Sequence, residues 1–95
     1  MSKPDQVTKV LEERGARYGK FRDHATVTTS LKDVIRGHRQ LHRLDKLADD
    51  QQEALDMICH KIGRIVNGDP NYVDSWVDIA GYAMLVADRL EGIER

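Results

Sequence analysis

The sequence contains one cysteine, two prolines and five aromatic side chains, and each shortage excludes something. A lone Cys59 cannot close an intrachain disulfide, nor can it supply the paired cysteines of a zinc finger. No apolar run is long enough to cross a bilayer, and the stretch from Met1 to Gln6 lacks the apolar core of a secretory signal. The expectation is therefore a cytoplasmic protein with no membrane partner. No segment alternates apolar and polar residues as a half-buried strand does. Neither Gly-x-x-x-x-Gly-Lys-Ser/Thr nor Gly-x-Gly-x-x-Gly occurs, so P-loop and Rossmann nucleotide sites are excluded. No serine or threonine sits in a nucleophile-elbow pattern, which argues against covalent catalysis. A net charge of -1 gives none of the basic excess typical of nucleic-acid binders, so nucleic acid is not expected as a partner.

Helical periodicity is what the chain does have. At 40% apolar and 33% charged residues it is too apolar for disorder and too charged for a membrane protein. Its 95 residues suit a single domain, 1–95. Apolar spacing predicts helices over about 5–14, 23–43, 50–66 and 72–90, an all-α, four-helix bundle-like domain. Asp5 is the expected cap of the first helix, and Gly15 to Gly19 reads as a turn. The second carries Val27, Leu31, Val34, Ile35, His38, Leu41 and His42 on one stripe. Its basic side, Lys32, Arg36, Arg39 and Arg43 with Lys46 beyond, reads as a solvated face. His38 and His42 have the i,i+4 spacing of a zinc pair but no third ligand nearby. Asp49 or Asp50 is expected to cap the third helix, and Gly68 to end it in a left-handed conformation. Cys59 falls on the apolar side of this helix and reads as a small, inert core residue. The fourth is apolar over more than half its circumference, through Val73, Trp76, Val77, Ala80, Ala83, Met84, Ala87 and Leu90. Such a helix is either central to the bundle or part of an oligomer interface. So small a core also favours a homo-oligomer.

On helical wheels, Glu53, Asp56, His60, Arg64 and Asn67 share one side of the third helix. On the fourth, Asp74 and Asp78 are i,i+4 neighbours with no basic residue three or four positions away, a local repulsion of a few tenths of a kcal/mol. A hard cation would relieve it, and two acidic pairs on adjacent helices can hold Mg²⁺ against phosphate oxygens. Acidic pairs on a polar helix face are also ordinary solvated surface. Lys61 and Arg64, one turn beyond Glu53 and Asp56, can grip phosphate or simply complement the helix dipole. Tyr18 and Tyr82 are the candidate base-stacking rings. Gly81 costs its helix about 1 kcal/mol against alanine, which suits a close helix approach or a ligand.

The stretches Glu53 to Ile65 and Asp69 to Ala83, together with Arg14 to Gly19, resemble small phage-encoded domains with a Lys-x-x-Arg-Ile stretch and an Asp-x-x-x-Asp-Ile-Ala-Gly-Tyr helix. The arrangement is more distantly similar to the MazG-like all-α NTP pyrophosphatases. That resemblance implies a dimer or tetramer in which Glu53, Asp56, Asp74 and Asp78 bind Mg²⁺, and an NTP or dNTP is cut to the monophosphate and pyrophosphate. Lys61 and Arg64 then hold phosphates, and Tyr18 or Tyr82 stacks the base. The family's first motif has three acids, Glu-Glu-x-x-Glu, where this chain has Gln52 to Asp56 with two. Its second is Glu-x-x-Asp, where this chain has Asp-x-x-x-Asp. Two other expectations stand beside this one. The first is a metal-free binder of nucleotides or nucleotide signals that counters host defence; the second is a helical protein-interaction module.

Overall fold

In the computed structural model, residues 2–42 and 47–95 are described, the side chains of Leu41 and His42 excepted. The expected cation positions Arg43 and Lys46, and the His42 side chain, lie outside them. The described residues form four helices and no strand: α1 Lys3–Tyr18, α2 Phe21–His42, α3 Asp49–Asn67 and α4 Val73–Leu90. The all-α class read from periodicity holds.

Helix α1 is longer at both ends than the expected 5–14. Ser2, not Asp5, is its cap: Ser2 Oγ accepts from the Asp5 N–H at 3.3 Å, with Pro4 in the first turn, where a missing N–H costs nothing. The helix then runs through Gly15, read from sequence as a turn, because nothing crowds that exposed position and one glycine costs a helix only about 1 kcal/mol. It stops at Gly19, whose φ of 77° is left-handed. Helix α3 is preceded by Ala48, so Asp49 and Asp50 lie in the first turn rather than at the cap. The Ala48 N–H is instead satisfied by Gln51 Oε1 at 2.8 Å.

Helix α3 is the central layer, with α4 on one side and α2 and α1 on the other. Helix α4 touches neither α1 nor α2 closely, so it is not central. Its outer face, opposite α3, leaves Val73, Trp76, Val77 and Met84 more than half exposed. Its inner side presents the buried Ser75 and the half-buried Asp78, Tyr82 and Arg89. Among the described residues, Ala54 and Cys59 are the buried hydrophobics, and no large side chain is fully enclosed. Burial raises the Cys59 thiol above its ordinary pKa, as an inert packing residue requires. Val34, expected on the α2 core stripe, is 72% exposed. The side of α2 that meets α3 is mixed: Val27, Leu31 and Ile35 of that stripe are half-buried, His38 is exposed, and beside them His24 and Thr28 are buried and Arg39 is bonded to Gln52 Oε1.

Candidate functional site

The C-terminal end of α3 is fastened to the α1–α2 turn. Asn67 Nδ2 donates to the carbonyls of Tyr18 and Lys20, both at 3.0 Å. The Asp69 N–H donates to the Arg17 carbonyl at 2.6 Å. Two glycines let the backbones approach this closely. A Cβ on Gly68 would strike the Arg17 carbonyl and Tyr18 Cα, and one on Gly19 would strike the Asn67 carbonyl. Gly68 has φ -126°, so it is not the expected left-handed cap; its role is to leave room for the α1 terminus.

Above this fastening lies a concavity of about 470 Å³ between α1, α2 and α3. Arg14, Lys20 and Arg64 line it with Tyr18, Phe21, His24 and His60, and no acidic residue does. The Arg64 guanidinium sits 4.2 Å above the Tyr18 ring, which fixes both by a cation–π contact. Helix α2 begins at Phe21 on the pocket's edge, so its positive dipole end adds to the three cations. Burial of His24 is nearly complete, at 5% exposure. Its Nε2 lies 3.2 Å from His60 Nδ1 and 3.4 Å from Thr28 Oγ1. Its Nδ1, held against Gly63, makes no hydrogen bond of good geometry. A Cβ on Gly63 would strike Thr28 Oγ1 and come within 2.9 Å of that Nδ1, so glycine is what lets the imidazole lie on α3. Burial lowers the pKa of His24, and burial followed by the Arg64 charge lowers that of His60 to about 4. Both rings are neutral at pH 7, and the pocket's positive charge rests on Arg14, Lys20 and Arg64.

No three of the four carboxylates expected to share a metal are placed together among the described residues. Asp56 faces α2, with Oδ2 3.6 Å from Arg36 Nη2 and Oδ1 accepting from Gln52 Nε2 at 3.1 Å. Asp78 Oδ2 lies 2.9 Å from Lys61 Nζ, whose side chain is 11% exposed. Asp74 accepts from the Tyr72 hydroxyl at 2.9 Å, and that hydroxyl accepts from Arg17 Nη1 at 3.0 Å. Glu53 is exposed on α3. Among the described residues no group of three or more His, Cys, Asp or Glu is placed to hold a metal ion. The donor set of one chain therefore does not fit the Mg²⁺ site that the pyrophosphatase resemblance implies, and no chemical step is derived through a metal. The charge relief that Asp78 lacks along its own helix comes from α3, through Lys61.

Of the expected phosphate and base contacts, Arg64 and Tyr18 meet in the pocket. Lys61 is engaged with Asp78, and Tyr82 lines other grooves, beside Val77 and Gly81 and beside Ala54. Arg14, Lys20, Phe21 and His24 line the same pocket and are not among the sequence candidates. The signal for part of this set was present: once α1 is continued through Gly15, the positions Leu11, Arg14, Gly15 and Tyr18 fall at i, i+3, i+4 and i+7 on one face.

No helix among the described residues is long and apolar enough to cross a membrane. No curated protein and no solved structure matches the chain. Residues 5–90 match a family described as DUF6378, a domain of unknown function, and the chain belongs to that family.

Proposed function

We propose that this domain binds a small anionic ligand with a planar ring, a nucleotide or nucleotide-like signal, between α1, α2 and α3. The observation that carries this reading is the pocket's composition. Three cations and two aromatic rings surround about 470 Å³ with no lining carboxylate. Ligand pockets commonly enclose roughly 300–1,000 Å³. Arginine forks and a lysine point charge suit phosphate oxygens, and Tyr18 or the exposed Phe21 offers a face for a base. The charge on this pocket needs no metal to attract a phosphate, which favours a binder over a hydrolase. The hydrolytic reading, a Mg²⁺-dependent NTP or dNTP pyrophosphatase, has less support, since Asp56 is paired with Arg36 and Asp78 with Lys61.

Calorimetric titration with ATP, dATP, AMP and inorganic phosphate, each with Mg²⁺ or with EDTA, tests the proposal. The expected result is metal-independent nucleotide binding that Arg64→Ala or Arg14→Ala weakens at least tenfold, since a charged hydrogen bond is worth about 1.5–3 kcal/mol. Equal binding of nucleotide and phosphate would remove the ring from the proposal. Turnover of a triphosphate only with Mg²⁺, lost in Glu53→Gln, would replace binding with hydrolysis. No heat with any of the four, and no perturbation of the His60 or Tyr18 resonances in NMR, would overturn it.

A further inference from the structure

The contact between His24 and His60 decides what the pocket can recognise, because it fixes which nitrogens carry protons. Both imidazoles are neutral at pH 7, so each has one N–H and one bare nitrogen, and their 3.2 Å contact needs a donor on one side and an acceptor on the other. The choice is made at the far end of His24. Its Nδ1 is buried against the backbone of Gly63, which lies inside α3. A glycine there has given its N–H to the helix, and what remains to it is the second lone pair of its carbonyl. Only a donor gains from that neighbour, and the contact with the Gly63 backbone favours a proton on His24. His24 therefore carries its N–H at Nδ1, imperfectly aligned with that carbonyl, and its Nε2 is the acceptor. His60 Nδ1 then holds the N–H that donates to it, and His60 Nε2 is left bare. The Thr28 hydroxyl, 3.4 Å from His24 Nε2, can turn to suit this arrangement. The reverse arrangement would bury a bare Nδ1 where no donor reaches it, the costly case for a polar atom.

Among the described residues nothing bonds His60 Nε2, and the half-buried ring opens on the pocket. Arg14, Lys20 and Arg64 only donate, and the Tyr18 hydroxyl can donate or accept. His60 Nε2 is thus the lining side-chain atom that can accept and cannot donate. The three cations account for a phosphate, but an unprotonated phosphate oxygen has nothing to give a bare nitrogen. The pocket therefore suits a ligand that joins an anion to an O–H or N–H donor. His60 precedes Arg64 by four residues on one face of α3, so the two side chains start about one turn, about 5.4 Å, apart along the axis. That is the scale of the step from a nucleotide's phosphate to its sugar, whereas the amino edge of a base lies further off. With the phosphate on Arg64, the sugar hydroxyls come to His60.

We propose that His60 Nε2 accepts a hydrogen bond from a sugar hydroxyl of the bound nucleotide, and that His24 is the positioning residue that holds His60 in the accepting tautomer. The proposal rests on the nucleotide reading of this pocket, but its first test needs no ligand. Two-bond proton–nitrogen correlation spectra of the nitrogen-15-labelled full chain at pH 7 are expected to show the His60 proton on Nδ1 and a bare Nε2. A His60 proton on Nε2 overturns the proposal, whatever the pocket binds. In the His24→Phe chain the His60 signals should move toward a mixture of tautomers; a His60 tautomer unchanged by that substitution removes the role given to His24. The second test is calorimetric titration with AMP and 2′,3′-dideoxy-AMP. Loss of the hydroxyls is expected to weaken binding about three- to tenfold, the worth of one hydrogen bond to a neutral acceptor. His60→Leu, at a half-buried position that tolerates an apolar side chain better than the buried His24 site, should bring the ratio of the two affinities close to one. Equal binding of the two nucleotides by the wild type, with His60 in the expected tautomer, overturns the sugar contact and leaves the nucleotide reading standing. So does a ratio that His60→Leu leaves unchanged. An AMP that does not bind at all overturns both.

Discussion

Where α3 meets α1 and α2, the contacts are polar and closely fitted: an imidazole against Gly63, an amide bridging two carbonyls, two glycines admitting neighbouring backbone. The outer face of α4 is apolar and loosely bounded, with Trp76, Met84 and Leu90 facing outward and nothing near Gly81. In an isolated bundle the materials would be exchanged, with apolar stripes inside and charges outside. Here α4 turns Asp78 and Arg89 toward α3 and its apolar stripe away. Polar fit works beside buried or half-buried Ala54, Leu55, Ile58, Cys59, Ile62, Ile79 and Val86 on the inner side, and further apolar area is left on the outside. The two regions should respond to mutation in different ways, because one is limited by shape and the other by coverage.

The largest effect is expected at the fitted end. Gly68→Val places a branched side chain against the backbone of Arg17 and Tyr18, where no flexible group can yield. The cost is about 3 kcal/mol, at the upper end of overpacking, and should lower the melting temperature by roughly 12–24 °C in a domain of this size. Circular dichroism at 222 nm during heating checks it. A change of a few degrees would mean that α3 is not fastened to the α1–α2 turn as described.

Next in size is the pair between Lys61 and Asp78. Removing the carboxylate leaves a nearly buried ammonium without a counter-charge, whereas removing the ammonium leaves an aspartate that is 45% exposed and can turn to water. Asp78→Asn is expected to cost about 2 kcal/mol, reduced from the fully buried case by that exposure. Lys61→Met is expected to cost less than about 1 kcal/mol. Urea denaturation of both variants without Mg²⁺ reads the asymmetry. Equal costs would dissolve it, and an Asp78→Asn chain destabilised only in Mg²⁺ would return the carboxylate to metal binding.

This pair also marks the limit of what the sequence could disclose. The 3.6-residue period located four helices, because apolar spacing along one helix is a one-dimensional property. Pairing between helices is not, so the repulsion of Asp74 and Asp78 was visible while its relief by Lys61 was not. Glycine was ambiguous in the same way. Gly15 looks like a break and is helical, and Gly68 looks like a left-handed cap and instead makes room for a neighbouring backbone. The stripe on α4 is apolar as its spacing suggests, but which part of it faces the chain depends on what α3 offers opposite, where Lys61 draws in Asp78 while Ile79 and Val86 are half-buried. Arg64 and Tyr18 were legible as side chains suited to a phosphate and a base, and the fold places both on one pocket. Arg14 and Lys20 join them only through a fold that closes α1 and α2 around the end of α3.

The smallest effect concerns pH and separates the two regions without a change in packing. His24 and His60 face each other, with Lys32 from α2 and Lys61 and Arg64 from α3 adding positive charge around His60. No carboxylate lines the pocket beside them. In the unfolded chain these imidazoles take up protons near pH 6.5. In the folded chain His60 resists protonation down to about 4, and His24 is shifted in the same direction. Between those values the unfolded state binds more protons, so stability rises with pH across the window and falls as the solution is acidified. The stability these rings contribute is complete above about pH 6.5 and is lost on the way to pH 4. Water reaches part of His60, so the loss is expected to be on the order of 1 kcal/mol rather than the full linkage value. Urea midpoints at half-unit steps should show this slope, and His60→Gln should flatten it. An anion held by Arg14, Lys20 and Arg64 would lessen the unfavourable charge around His60 and draw its pKa upward, so the slope measured with a bound ligand should be shallower. A slope unchanged in His60→Gln would place the acid sensitivity outside this pocket.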